Sequence, residues 1–181
     1  MRKYVNIERE LDAMLRYTGV PRLENAIGVD VEVLVRTKLD FDVAYIENLC
    51  IRGKQLSGAL IPEHRVILVE AFDIWERRRF TLAHECAHLV LDFRNAGSPS
   101  LFESHGDSFI CAPDDIGTTE DSPWQKRREV LANQFAAALL MPGRLCKQLY
   151  VENNSIDDCA GALGVSRQAL QIRLNQLGLR A

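Results

Sequence analysis

The chain has 181 residues, 47 % of them hydrophobic and 26 % charged, with a formal net charge of −3. This is the profile of a soluble globular protein with enough apolar surface for a core, in one domain or in one domain with a small appendage. The near-balanced charge speaks against a large basic face for nucleic acid and leaves room only for a local patch.

The N-terminal stretch MRKYVNIERELD has a basic start but no apolar segment after it, so no secretory signal is expected. The longest apolar run, Phe135 to Met141, is too short to cross a bilayer. The 5 cysteines are odd in number and form no CxxC pair, which reads as reduced thiols in a cytoplasmic protein with no membrane partner.

In chain order, residues 6–18 place Ile7, Leu11, Met14 and Leu15 on one helical stripe, stopped by Gly19 and Pro21. A short helix is expected over VDVEVLVRT, starting near Asp30. Three β-rich runs follow, DVAYIEN, LSGALI and RVILVE, the last two joined by a hairpin loop at residues 62–65. A longer helix is predicted from about Asp73 to Asp92. Residues 94–122 are punctuated by glycine, proline and aspartate without a period, and a loop of that length is usually functional or disordered. Ser122-Pro123 then supplies an N-cap followed by proline, opening a helix from Trp124 to Leu140 that Pro142 stops. Two more helices, Ser155 to Leu163 and Ser166 to Leu177, complete the chain.

The segment RRRFTLAHECAHLVLD carries the chemistry. His84 and His88 are one helical turn apart, so their side chains share a face at about 5–6 Å between Cβ atoms. Two imidazoles so placed reach one divalent ion at about 2.0–2.1 Å. Glu85 lies one position round, suited to take a proton from a water on the ion. The surrounding Leu82, Ala83, Cys86, Leu89, Val90 and Leu91 are apolar, and unpaired charge among them would be costly. Cys86 itself reads as a small core residue.

Catalytic zinc usually takes three protein ligands. In REVLANQFAAALLMP, Glu129, Ala132, Asn133, Ala136 and Leu140 share one face, and the alanines permit close approach to the first helix. Spacing alone leaves two readings of Glu129 open, a third ligand or a solvated acid beside Arg127 and Arg128. Asn133 is placed to accept a hydrogen bond from a histidine ring N–H and so fix its tautomer.

RFTLAHECAH followed by EVLANQFAAALLMP resembles the ImmA/IrrE family of metallo-endopeptidases, with further matches in VDVEVL, LSGALI, RVILVE and the tail LGVSRQALQIRLNQLGL. The likeness runs from about Asp30 to Leu179. Two departures stand out: alanine at position 87, where the family often has glycine, and the stretch 94–122, which finds no counterpart. The resemblance implies a gluzincin-like α+β fold, with a small antiparallel or mixed sheet on the HExxH helix and a helical C-terminal part. It implies Zn2+ on His84, His88 and Glu129, with Mn2+ or another divalent metal as substitutes, and Glu85 as general base. It further implies site-specific cleavage of an XRE-type helix-turn-helix repressor, which relieves repression. An extended segment of that substrate is expected to add to a sheet edge formed by LSGALI or RVILVE. The alternative is a non-catalytic metal-binding module that docks on a repressor or on DNA.

On this reading, residues 1–150 form the metallopeptidase domain, and 151–181 a small helix-turn-helix-like segment packed on it. That segment has the cadence of a DNA reader, but Arg167 and Arg173 face Asp157 and Asp158, a poor footprint for phosphate. Packing or repressor docking is the preferred role of these helices. Arg77, Arg78 and Arg79 read as a solvated basic face. His105, in the long loop, is a candidate oxyanion stabiliser whose plainer reading is a surface residue. His64 reads in the same way. Phe102, Phe109 and Ile110 are read as a lid over the cleft or as a satellite core.

Overall fold

The computed structural model describes Leu11 and residues 29–95, 109–111, 123–152 and 155–179. Leu11 is helical and buried; the rest of the expected helix at 6–18 lies outside the described residues, as do Phe102 and His105.

Helix α1, Val31–Lys38, starts where the sequence signals it, with the Asp30 carboxylate accepting the Val33 N–H at 3.1 Å. Val31, Leu34 and Val35 form its buried stripe. Strand β1, Asp42–Ile46, follows. Next comes a small hairpin of β2, Cys50–Ile51, and β3, Lys54–Gln55, turned by Arg52 and Gly53 at positive φ. Two consecutive left-handed residues match the right-handed twist of a two-residue hairpin. β4, Gly58–Ile61, leads through a 3-10 turn at Pro62–His64 and a left-handed Arg65 into β5, Val66–Glu70. Helix α2, Trp75–Asn95, carries HExxH. β6, Phe109–Cys111, is followed by α3, Pro123–Leu140, α4, Gly143–Glu152, α5, Ile156–Leu163, and α6, Arg167–Gln176.

The main sheet has the order β1-β5-β4-β6, with β1 parallel to β5 and β4 antiparallel to both its neighbours. It is a small mixed sheet in an α+β fold, as the resemblance implied. One expectation is corrected. LSGALI and RVILVE do not form edges, because β5 lies between β1 and β4, and β4 between β5 and β6. The strand that covers β4 comes from the stretch 94–122, which carried no strand signal.

α2 packs on α3 and on the α1, β4 and β5 elements, and its buried side chains join one continuous core. Leu163, Leu170 and Leu174 of the last two helices belong to the same core. α5 and α6 are capped by Ser155 and Ser166, and Gly164 makes the turn between them at φ 62. Arg79 overturns the solvated reading of its run. Its guanidinium lies over the Trp75 ring and donates to the carbonyls of Val29, Leu163 and Gly164, tying α2 to that turn. Of the two arginines in the described tail, Arg167 pairs with Asp157, and the buried Arg173 donates to the Met141 carbonyl. Both are engaged within the fold. No helix among the described residues is long and apolar enough to cross a membrane.

Candidate metal centre

The site sits where α2 crosses α3. Ala83 and Ala87 on α2, and Ala132 and Ala136 on α3, are fully buried, so the two backbones approach closely. Over residues 81–90 α2 is buried on every side, and Thr81, His84, Glu85 and His88 are the buried polar residues there. Its helical period brings His84 and His88 onto the face turned towards α3, their ring centroids 4.7 Å apart.

The Nε2 atoms of His84 and His88 face each other at 3.0 Å. Glu129, at the N-terminal half of α3, places Oε2 3.2 Å from His84 Nε2 and Oε1 3.3 Å from His88 Nε2. Its side chain is 47 % exposed, whereas His88 is buried. The cluster is thus walled on the helix side and open beyond the carboxylate. Two ligand atoms each about 2.0–2.1 Å from a tetrahedral ion lie about 3.3–3.4 Å apart. The triangle of 3.0, 3.2 and 3.3 Å has that size. The donor types, two imidazoles and a carboxylate, suit a borderline divalent metal.

Asn133 lies one turn beyond Glu129 on α3, with its side-chain oxygen against His84. His84 Nδ1–H donates to Asn133 Oδ1 at 2.9 Å, and in the neutral ring this leaves the Nε2 lone pair turned into the cluster. Burial pulls the His84 pKa down, but its hydrogen bond to Glu129 and the nearby Glu85 charge more than reverse this, leaving it above the ordinary value. Burial dominates at His88, with the charge of His84 acting in the same sense, so its pKa falls below the ordinary value. Burial would raise the Glu129 pKa, but hydrogen bonds with both histidines overcome it and hold the carboxyl far below the usual range. A cation bound here would displace the proton that the rings share with Glu129, because imidazole ligates only through a deprotonated nitrogen.

Glu85 is fully buried, one position round α2 from His84, with its carboxylate beside Gly58 of β4 and its charge close enough to act on His84. Cys86 is enclosed in the core, and burial pushes its thiol up to about 12, so it stays a neutral filler. His64 lies far along the sequence in the turn between β4 and β5, lining a surface pocket with Arg36, Asp40, Phe41, Asp42 and Arg65. It is absent from the His84–His88–Glu129 cluster. Gly58 and Thr81, both against Glu85 or its helix turn, escaped the sequence reading. The signal was present in LSGALI, since a glycine inside a strand pattern often marks close approach of another element.

A family model described as the IrrE N-terminal-like domain, a peptidase family, matches residues 39–175. The radiation response metalloprotease IrrE of Deinococcus deserti is 38 % identical over 95 residues, 52 % of this chain and 29 % of that protein. Its namesake from Deinococcus radiodurans is 38 % identical over 85 residues, 47 % of this chain and 22 % of that one. The chain thus aligns with less than a third of the length of either relative. Among solved structures, a Mycobacterium tuberculosis transcriptional regulator superposes with a TM-score of 0.64 over 95 % of this chain and 47 % of that one. At 19 % identity this likeness concerns the fold alone.

Proposed function

The chain belongs to the peptidase family of the IrrE N-terminal-like domain, and from that premise we propose that it is a zinc-dependent endopeptidase making site-specific cuts in a protein. The proposed substrate is an XRE-type helix-turn-helix repressor, whose cleavage relieves repression. The observation that carries this reading is the convergence of two ring nitrogens and a carboxylate at metal-ligand spacing, one residue from a buried glutamate.

In this mechanism His84, His88 and Glu129 hold the ion, and Asn133 keeps His84 in the ligating tautomer. When bound there, a divalent ion supplies Lewis acidity, polarising a peptide carbonyl and acidifying a water. Glu85 takes the proton from the attacking water and delivers it to the leaving amine. Burial of Glu85 and His88 keeps bulk water from competing with that transfer. Zinc is preferred for the His₂Glu set, and manganese or iron is the competitor that metal analysis of the purified protein distinguishes.

The test is incubation of the metal-loaded protein with a purified XRE-type repressor. The wild type should produce two discrete fragments, and a chelator should abolish them. Glu85→Gln should keep its metal and lose about 10²–10⁴-fold in cleavage rate. If Glu85→Gln retains the full regulatory effect, the non-catalytic docking module takes the place of the peptidase. The DNA-binding version of that module has little support in the tail, where Arg173 is buried on the Met141 carbonyl and Arg167 is paired with Asp157 at the surface.

A further inference from the structure

Gly58 stands inside the sheet, in β4, and its φ lies outside the left-handed region, so its backbone conformation does not call for glycine. Glycine within a strand forgoes side-chain packing and costs conformational entropy, and it commonly marks a place where another element comes close. Here that element is α2. A Cβ at position 58 would fall inside van der Waals contact with the Thr81 methyl, 3.2 Å from the Leu68 carbonyl oxygen and 3.3 Å from Glu85 Oε1.

These neighbours have little room to yield. The Leu68 carbonyl belongs to β5, which is held in register against both β1 and β4. Thr81 is buried and β-branched on a helix, so few χ1 rotamers are open to it. Glu85 is fully buried. Relief would come from moving α2 away from β4, and Thr81 precedes Glu85 by one helical turn. Any such shift carries Glu85, and His84 beside it, with the helix.

We infer that Gly58 is a positioning residue for the site: by lacking a side chain it lets α2 lie against β4 and fixes where the Glu85 carboxylate sits beside that strand. The functional consequence rests on the proposed peptidase activity. A displacement of about 1 Å in a reacting group costs on the order of 100-fold in rate, so a modest loss of registry at Gly58 should be visible in kcat. Thr81 is the distance-setting contact, which makes the effect reversible from the opposite side of the interface.

The experiment compares wild type, Gly58→Ala, Thr81→Ser and the double variant, each assayed for zinc content, denaturation midpoint, kcat and KM. Gly58→Ala should hold zinc less tightly than the wild type, because His84 moves with α2, and at saturating zinc its kcat should fall roughly 10- to 100-fold, with little change in KM. Thr81→Ser removes the methyl that the new Cβ meets, so the double variant should recover most of that kcat and most of the lost midpoint. The inference is overturned if Gly58→Ala cleaves within about twofold of wild type, or if the folded double variant is as impaired as Gly58→Ala. Should Gly58→Ala fail to fold, a folded and active double variant supports the inference. A double variant that also fails to fold overturns it, because the Thr81 methyl is then not the obstacle. A wild type that cleaves nothing sinks the peptidase reading instead, and recovery of the denaturation midpoint by Thr81→Ser still decides the contact.

Discussion

Replacing Asn133 by alanine tests how the site is held without touching a proposed ligand. The substitution removes the acceptor of the His84 Nδ1–H, now 2.9 Å away, and leaves Glu129 one turn earlier in place. Asn133 is an exposed residue, so little packing is lost with its side chain. The net worth of such a neutral hydrogen bond to the metal-free fold is about 1 kcal/mol at most. Metal affinity should suffer more, because His84 is then free to rotate or to adopt the tautomer that protonates Nε2. Losing a partner of this kind typically weakens a metal site about 10–100-fold, or about 1.4–2.7 kcal/mol. Zinc titration in competition with a chromophoric chelator measures the affinity, and urea unfolding with excess chelator measures the metal-free stability. Asn133→Asp keeps an acceptor at that position and should bind zinc within about threefold of wild type. Asn133→Ala binding zinc as tightly as wild type would refute the argument that this hydrogen bond sets the tautomer.

Ala136→Leu inserts three carbons into the fully buried contact face of α3. It should cost about 1–3 kcal/mol in urea unfolding and reduce bound zinc by moving Glu129; unchanged stability would mean that the helices are less closely packed than described. Glu70 accepts the backbone N–H groups of Phe72, Asn48 and Leu49. The Phe72 N–H, the largest influence, together with the other backbone donors, sets its pKa below the ordinary 4.5. Its contribution is therefore full above pH 4.5 and is lost as the pH falls through the lower folded value. Denaturation midpoints of wild type and Glu70→Gln should converge below that range, and parallel curves throughout would contradict the assignment.

Legibility in the sequence followed the range of the forces involved. The helix starts at Asp30, Ser155 and Ser166 were readable because a cap is a local exchange between a side chain and an N–H two or three residues on. The shared face of His84 and His88 follows from helical period alone. Glu129 does not: its relation to the histidines depends on how α3 crosses α2, and the family resemblance rather than spacing favoured it. β6 went unread because three residues, Phe109–Cys111, become a strand only through pairing with β4. α4 carries no start signal of its own: Pro142 reads as the end of a helix, whereas a new one begins at Gly143. Arg79 departs from its solvated reading for a related reason. A run of arginines reads as solvated until the turn at Gly164 arrives, from far along the chain, to accept its protons.

On the proposed mechanism His84, His88 and Glu129 together bind one catalytic metal ion. The most direct measurement is the metal-to-protein ratio of gently purified protein, beside Glu129→Ala, before and after zinc reconstitution. Wild-type protein should hold close to one divalent ion per chain, with much of it lost in the variant. Wild-type protein that stays metal-free after reconstitution, or Glu129→Ala that holds zinc as tightly as wild type, would contradict that mechanism.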